Sequence, residues 1–545
     1  MSGSLAYDHG LLARHALEPG GSDLDPASRR PAAMVFSSHV FVFYFLPLTL
    51  LLYYAAPWRG RHLVLTLLSY LFYGWANPLF VVLLLFSTAV DYLCGLVIVG
   101  SGPLWLGRLA KLRVKPSSAG ERSLGNGPPS NRWSRQLVSL EPGTARTRKQ
   151  RSAVIVSVCT NLALLAFFKY FNFGVASYDT LLTALGLDGL RLDLALRITL
   201  PLGISFYTFQ SMSYTIDVYR GHAAPLRSFI DFACYVSMFP QLVAGPVIRF
   251  SEVADQLRGR TCTATKFARG VAFLSVGLAK KILLANPCGQ IADLAFDAGS
   301  RGALDAWYGL VAYSFQIYYD FSAYSDMAIG LGLMLGFVFP KNFDSPYRSA
   351  SITEFWRRWH ISLSSWLRDY LYVPLGGSRH GPRRTYVNLL LVMLLGGLWH
   401  GAAWTFVIWG GLHGALLALE RARDKTALYS RLPRPVRVGA TFILVSIGWV
   451  FFRADDLGEA LRYLQSMLGL SAVEPSRAVL AGVMYQPYLA GTVAVAALVT
   501  WSCPQTWDWT RRLTAPRAGL VVAALVTALA LLSTQAYNPF IYFIF

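Results

Sequence analysis

The sequence predicts an all-α polytopic membrane protein, a transmembrane helical bundle of about 10–13 spans, and three observations predict it. Of its 545 residues, 54% are hydrophobic and 14% charged, whereas soluble domains carry about 25% charged residues. Apolar runs recur along nearly the whole chain, each close to the roughly 20 residues that cross a bilayer as a helix. The formal charge of +20 is concentrated in short connections between those runs, as in cytoplasmic loops. It does not lie on one face of a soluble module, so no nucleic-acid partner is expected.

In chain order, residues 1–33 are polar and rich in Pro and Gly, without the apolar core of a signal peptide. They read as a disordered tail, with Met34 as an alternative start; 34–545 reads as one transmembrane domain. Apolar segments at 40–56, 62–75 and 78–99 follow, the last containing Asp91. The basic loop 101–151 sets eleven Lys/Arg, among them Lys111, Arg146, Lys149 and Arg151, against Glu121 and Glu141; it is placed in the cytoplasm, and its Ser, Gly, Pro and Arg content predicts disorder. A span at 153–171 precedes the run PLGISFYTFQSMSYTIDVYRG, which Pro, Gly and polar residues interrupt in the manner of a re-entrant segment. Further apolar segments occupy 229–250, 267–284, 307–339 and 351–420, and about three more lie between 441 and 545. No inverted internal repeat, the mark of many transporters, is present. The six cysteines have neither metal-ligand spacing nor the density of a disulfide framework, so they read as buried free thiols and no metal is expected.

Ionisable side chains inside apolar runs are costly and mark either function or one half of a structural pair. In SFQIYYDFSAYSDMAIG, Asp320 and Asp326 sit among hydroxyls, which suits a hydrogen-bonded network or the wall of a tunnel. SITEFWRRWHISLSSWLRDYLYVPLGG reads as an amphipathic helix with Trp356, His360, Leu363 and Leu367 on one face and Arg358, Ser362, Ser365 and Asp369 on the other. A lone histidine on such a face is more often a satisfied core residue. In LLGGLWHGAAWTFVIWGGLHGALLALE, His400 lies among Gly396, Gly397 and Gly401, flanked by Trp399 and Trp404. The stretch around it is too long for one span, so a break is expected at those glycines, facing a cavity. His413, about 220° further round a straight helix, reads as structural. Imidazole takes and gives protons near neutral pH, which suits removing a proton from an attacking hydroxyl and returning it to a leaving group.

YYDFSAYSDMAIG, NFDSPY, EFWRRWHISLSSWLRDYLYVPLGG and GLWHGAAWTFVIWGGLHG follow one another as they do in the membrane-bound O-acyltransferase family, which this chain resembles from Met34 to its end, in its alginate-modifying bacterial branch. The resemblance implies a ring of helices around a central tunnel, with His400 as the catalytic histidine, His360 as its assistant, and Asp320, Asp326, Trp399 and Trp404 near the tunnel wall. It implies acetyl-CoA as the donor, with Arg357, Arg358 and Arg368 as candidates for its phosphates against plain interface anchoring. It further implies a polysaccharide acceptor, a periplasmic partner that completes the transfer, and a multi-pass place among the lipids of a bacterial inner membrane. Transfer of an acyl or D-alanyl group to peptidoglycan or teichoic acid is the alternative within the fold, and a polysaccharide or lipid transporter the alternative outside it.

Overall fold

The computed structural model describes residues 34–100, 139–194, 197–424, 427–473, 477–535 and 537–541. The expected tail 1–33, and residues 101–138 of the expected basic loop, lie outside the described residues. Among the described residues every regular element is helical and none is a strand.

The principal helices are α1 (Val40–Ala55), α2 (Arg61–Gly74), α3 (Leu79–Ile98), α4 (Arg148–Ala184), α5 (Ile204–Arg220), α6 (Phe229–Ser237), α7 (Phe250–Arg258), α8 (Ala264–Ala279), α9 (Asn286–Phe296), α10 (Ala303–Met334), α11 (Ile352–Arg358), α12 (Ile361–Leu367), α13 (Gly381–His400), α14 (Trp404–Ala422), α15 (Arg434–Arg453), α16 (Leu457–Met467), α17 (Arg477–Met484), α18 (Pro487–Ser502) and α19 (Ala515–Leu532). Their starts follow local chemistry. Thr147 and Gln150 form a capping box on α4, Ser228 caps α6, Thr263 caps α8, and Pro occupies the first turn of α9, α13, α15, α18 and α19. By length and composition, α3, α4, α15 and α19 can each cross a membrane. This is fewer than the apolar runs suggest, because several runs are cut into half-length helices, and because α10, 32 residues long, carries Asp305, Asp320 and Asp326 through the centre of the bundle.

The bundle has two chemically distinct ends. At one, Arg146 donates to Tyr219 O, Arg220 to Asp369 O, Arg258 to Ala224 O, Arg260 to Leu335 O and Arg348 to Thr500 O. At the other, Arg453 pairs with Asp293 and Asp297, and Tyr485 donates to Asp305. The first is the basic end, and the described part of the basic loop belongs to it. Between α3, α4 and α5, the carboxylate of Asp91 is fully buried and accepts from Ser157 Oγ (2.5 Å), Asn161 Nδ2 (2.8 Å) and Ser211 Oγ. Hydroxyls and an amide thus hold a carboxylate at membrane depth without a cation among those contacts.

Candidate active site

The long apolar stretch of 386–419 breaks at the glycines. Helix α13 ends on His400, Gly401 is extended (φ −150°), and α14 begins at Trp404 and packs back along α13. Small residues let the two backbones approach: a Cβ on Gly397 would fall 2.2 Å from Phe406 O, and one on Gly401 1.9 Å from the Phe406 ring. The far end of α14 returns to the basic end, where Glu420 accepts from Ile352 N and Thr353 N, both at 2.8 Å.

The last carbonyls of a helix have no partner within it, and this end carries partial negative charge. Here α4 supplies the partners. Lys169 Nζ donates to Trp399 O and, at 2.9 Å, to His400 O, while Tyr170 OH donates to Leu398 O at 2.7 Å. Lys169 is buried, and among the described residues no carboxylate pairs with it. Its charge is compensated by the end of α13, which it fixes directly behind the imidazole of His400. Trp399 is anchored in turn by its Nε1 on Ser205 O, 3.3 Å away.

His360 does not continue a helix. The expected amphipathic helix divides into α11 and α12, and His360 sits at the joint in the left-handed region (φ 44°, ψ 55°), a conformation that costs a non-glycine residue about 1–3 kcal/mol. Asn342 holds it there. Its Oδ1 accepts from Ser362 Oγ (2.8 Å) and Ser362 N (3.3 Å) and lies 3.2 Å from His360 Nδ1. Its Nδ2 donates to Ser325 Oγ (2.9 Å), and its backbone O accepts from Ile361 N (2.9 Å). A backbone N–H only donates, so the atom facing it is the amide oxygen, and that oxygen requires the proton of His360 to sit on Nδ1. Nε2 is then the nitrogen with the free lone pair; it is buried and has no hydrogen-bond partner in the described protein.

The two imidazoles come together from sequence positions forty residues apart, with ring centroids 6.5 Å from each other. His400 is boxed by Trp399 (5.0 Å), Trp409 (5.4 Å) and Phe452 (5.3 Å), and its Nδ1 is likewise buried without a partner. It faces a small cavity, about 10 Å³, walled by Phe321, Trp359, Trp409, Trp449, Phe452 and Ile541, about the space that one water occupies. Ile541 belongs to a C-terminal segment folded back into the bundle: its N–H donates to Asp320 Oδ2 (2.8 Å), and Pro539 O accepts from Lys281.

The remaining predicted residues take these places. Asp320 forms a buried ion pair with Lys281 (2.9 Å), and Asp326 pairs with Lys280 (2.7 Å) and accepts from Thr506. Cations from the π-helical segment Lys280–Ala285 that continues α8, rather than hydroxyls alone, therefore hold both carboxylates. Trp399 is buried beside the site, whereas Trp404 is 55% exposed and meets Phe173. Ser362, expected on a polar face, is buried under Asn342. His413 packs between Trp356 and Trp409, away from the cavity, and accepts from Trp356 Nε1. Arg358 pairs with Glu354 (2.8 Å) and Arg368 with Asp369 (2.7 Å), while Arg357 is exposed. Of the six cysteines, Cys159 and Cys503 are exposed, against the expectation of burial. Lys169, Asn342 and Ile541 were not singled out from sequence. Lys169 left a trace, a lone cation inside an apolar run; Asn342 lay within NFDSPY; nothing local marked Ile541.

An all-helical bundle with apolar spanning helices, a basic end and two imidazoles meeting from two helix breaks defines a multi-pass membrane enzyme. The chain belongs to the membrane-bound O-acyltransferase family. The sequence pattern of that family matches residues 220–438. Probable alginate O-acetylase AlgI of Pseudomonas putida is 42% identical over 534 residues, 94% of this chain and 100% of that protein. Probable alginate O-acetylase AlgI of Azotobacter vinelandii is 41% identical over 545 residues, with the same two shares. Peptidoglycan O-acetyltransferase of Helicobacter pylori is 35% identical over 479 residues, 82% of this chain and 81% of that protein. The protein is accordingly an O-acyltransferase.

Proposed function

We propose that this protein takes an acetyl group from acetyl-CoA at the cytoplasmic face of the inner membrane and passes it toward hydroxyls of an exported polysaccharide, alginate in the first instance. The observation that carries the reading is the pair of buried imidazoles, each with an unpartnered nitrogen, brought together from two helix breaks, with His400 lining a small cavity. Buried polar atoms in native proteins find partners, and an orphan at a cavity is explained when the substrate supplies the bond.

His400 acts as the base. It takes the proton of the hydroxyl that first receives the acetyl group, before the partner passes that group to the polymer, as that oxygen attacks the thioester carbonyl; the C–O bond forms, the C–S bond breaks, and the thiolate leaves with the proton returned from the imidazolium. His360, whose ring centroid lies 6.5 Å from that of His400, presents Nε2 and relays or steadies that proton; Asn342 keeps the lone pair on this nitrogen. Lys169 is a positioning residue behind His400. Asp320, Asp326 and Trp399 hold the surrounding wall, part of a ring of helices about a central tunnel that is embedded in lipid. The basic end faces the cytoplasm, and a periplasmic partner finishes transfer to the polymer. The relationship to a peptidoglycan O-acetyltransferase supports peptidoglycan as the second acceptor.

The test is acetyl incorporation into alginate by cells carrying His400→Ala. Membrane insertion equal to wild type with loss of at least about 10³-fold in transfer is expected for removal of a general base that also frames the site. Wild-type incorporation overturns the assignment.

A further inference from the structure

Tryptophan bears one polar atom, an N–H that only donates, and a buried indole usually finds an acceptor for it. The tryptophans in and around the site follow this rule. Trp356 Nε1 donates to His413 Nδ1 (3.3 Å), Trp366 Nε1 to Phe209 O (3.1 Å), Trp399 Nε1 to Ser205 O (3.3 Å) and Trp449 Nε1 to Tyr347 OH (3.1 Å). Trp409 departs from it. The residue is 1% exposed, and its Nε1 is buried with no acceptor among the described residues.

The ring is not free to turn and find one. Trp449 lies offset along one face of the indole (5.8 Å, 20°), while His413 (5.0 Å), Phe452 (5.1 Å) and Trp356 (5.7 Å) meet it at steep angles. The next residue, Gly410, sits so close to α13 that a Cβ there would fall 2.3 Å from Met393 O, so the backbone carrying Trp409 is fixed against the helix that carries His400. His413 Nδ1, on the neighbouring imidazole, is already taken by Trp356. A ring face is a weak acceptor and does not replace the water that burial removed.

What Trp409 shares with His400 is the cavity. Both residues line it, and their rings meet at 5.4 Å and 88°. Its volume of about 10 Å³ admits a single oxygen-sized group. The rest of the wall is aromatic rings and isoleucine side chains, which exclude water and lower the local dielectric, so that a hydrogen bond made there to a charged atom is strong. Attack on an acyl carbonyl places negative charge on one oxygen, and a fixed, desolvated donor beside the base is what that oxygen requires.

We propose that Trp409 is a catalytic residue whose Nε1–H donates to the carbonyl oxygen of the acyl group and stabilises the oxyanion formed on it. As the attacking hydroxyl oxygen bonds to the carbonyl carbon and yields its proton to His400, the π pair of the C=O moves onto oxygen and is met by the indole N–H, which keeps its own proton. When that pair returns, the C–S bond breaks and the thiolate takes the proton from His400. The proposal rests on the acyl-transfer reading above for the reaction; the choice of residue rests on the orphaned N–H and the shared cavity.

The experiment measures transfer from labelled acetyl-CoA by the full chain purified in neutral detergent. Position 409 is changed first by Trp409→Phe and then to 3-benzothienylalanine, introduced at a suppressed stop codon, which keeps the bicyclic ring and puts sulfur where the N–H was. Removal of one oxyanion donor lowers kcat about 10²–10³-fold, and both variants are expected to lose that much, with KM for the donor little changed. The benzothienyl variant is expected to keep the wild-type thermal midpoint, so its loss is not a folding defect. Trp356→Phe deletes a neighbouring indole N–H that is already bonded to His413, and its kcat is expected to stay close to wild type. Wild-type kcat in the benzothienyl variant overturns the proposal. So does a rise in KM at constant kcat, which marks ground-state binding alone, or an equal fall in kcat in Trp356→Phe, which marks packing of the aromatic cluster. His400→Ala separates the proposal from the reading beneath it: transfer lost in His400→Ala but intact in the benzothienyl variant removes only the role of Trp409, whereas transfer intact in His400→Ala removes the acyl-transfer mechanism as well.

Discussion

Replacement of Lys169 by Met tests whether the end of α13 is held for function or only for stability. The substitution keeps the length and the apolar stem while removing the charge-assisted bonds to Trp399 O and His400 O. Bonds from a charged donor contribute about 1.5–3 kcal/mol each, and their loss leaves two buried carbonyls short of partners. Against this stands the removal of a buried cation, whose desolvation costs several kcal/mol, so the net loss of stability is expected to be only about 2 kcal/mol. The effect on catalysis is larger, because the helix terminus that carries His400 is released. A displacement of about 1 Å in a reacting group costs about 10²-fold. In an assay of labelled acetyl transfer by detergent-purified protein, kcat is expected to fall about 100-fold with KM for the donor little changed. Lys169→Arg, which retains donors and charge, is expected to recover part of that loss, and Tyr170→Phe, which removes one neutral bond to Leu398 O, to cost about 1 kcal/mol of stability. A Lys169→Met enzyme within threefold of wild type in kcat would refute the positioning argument.

Three further outcomes follow from the geometry. Asn342→Leu removes the acceptor of Ser362 N and the oxygen that orients His360; a stability loss of about 1–3 kcal/mol with a fall in kcat of at least tenfold is expected, and unchanged kcat in a correctly inserted variant speaks against control of the His360 tautomer. Lys281→Met strands the buried carboxylate of Asp320 and frees Pro539 O, which is expected to cost about 3–5 kcal/mol, while Lys281→Met with Asp320→Leu recovers most of it; thermal melting in detergent measures both. At the basic end, the hydrogen bond from Arg368, together with the nearby Arg249 guanidinium, holds the Asp369 carboxyl below the usual carboxylate range. A depressed folded value gives stability that is present above the unfolded value of about 3.9 and is lost as pH falls through the folded one. Asp369→Asn is therefore expected to flatten the acid limb of a stability profile below about pH 4; an acid limb equal to wild type contradicts it.

Much of the architecture was legible because its causes are local. Apolar run length and the scarcity of charge fixed a helical membrane protein, and three glycines around His400, in a stretch too long for one span, marked the helix break. The family motifs named the two histidines before their geometry was known. The placement of His360 was less legible: the helical spacing of Trp356, His360 and Leu363 is genuine on either side of the joint, but periodicity does not register that one residue adopts the left-handed region, since Asn342, eighteen positions earlier, imposes it. Asp320 and Asp326 read as hydroxyl-supported carboxylates because their own helix carries the hydroxyls; the cations that pair with them come from the adjacent Lys280 and Lys281 on another element.

By itself, then, the sequence determined the class of solvent this protein folds in, the helix break at the glycines around His400, and the residue types available for acyl transfer. Those properties depend on hydropathy, turn residues and motifs within a few helical turns. Only the tertiary structure decided which groups meet: Lys169 under the carbonyl of His400, 231 positions away, Ile541 against the cavity it walls, and two imidazoles 6.5 Å apart. Such contacts arise from packing between helices distant in the chain, and packing depends on shape and on the burial of every polar atom at once, which no short stretch of residues encodes.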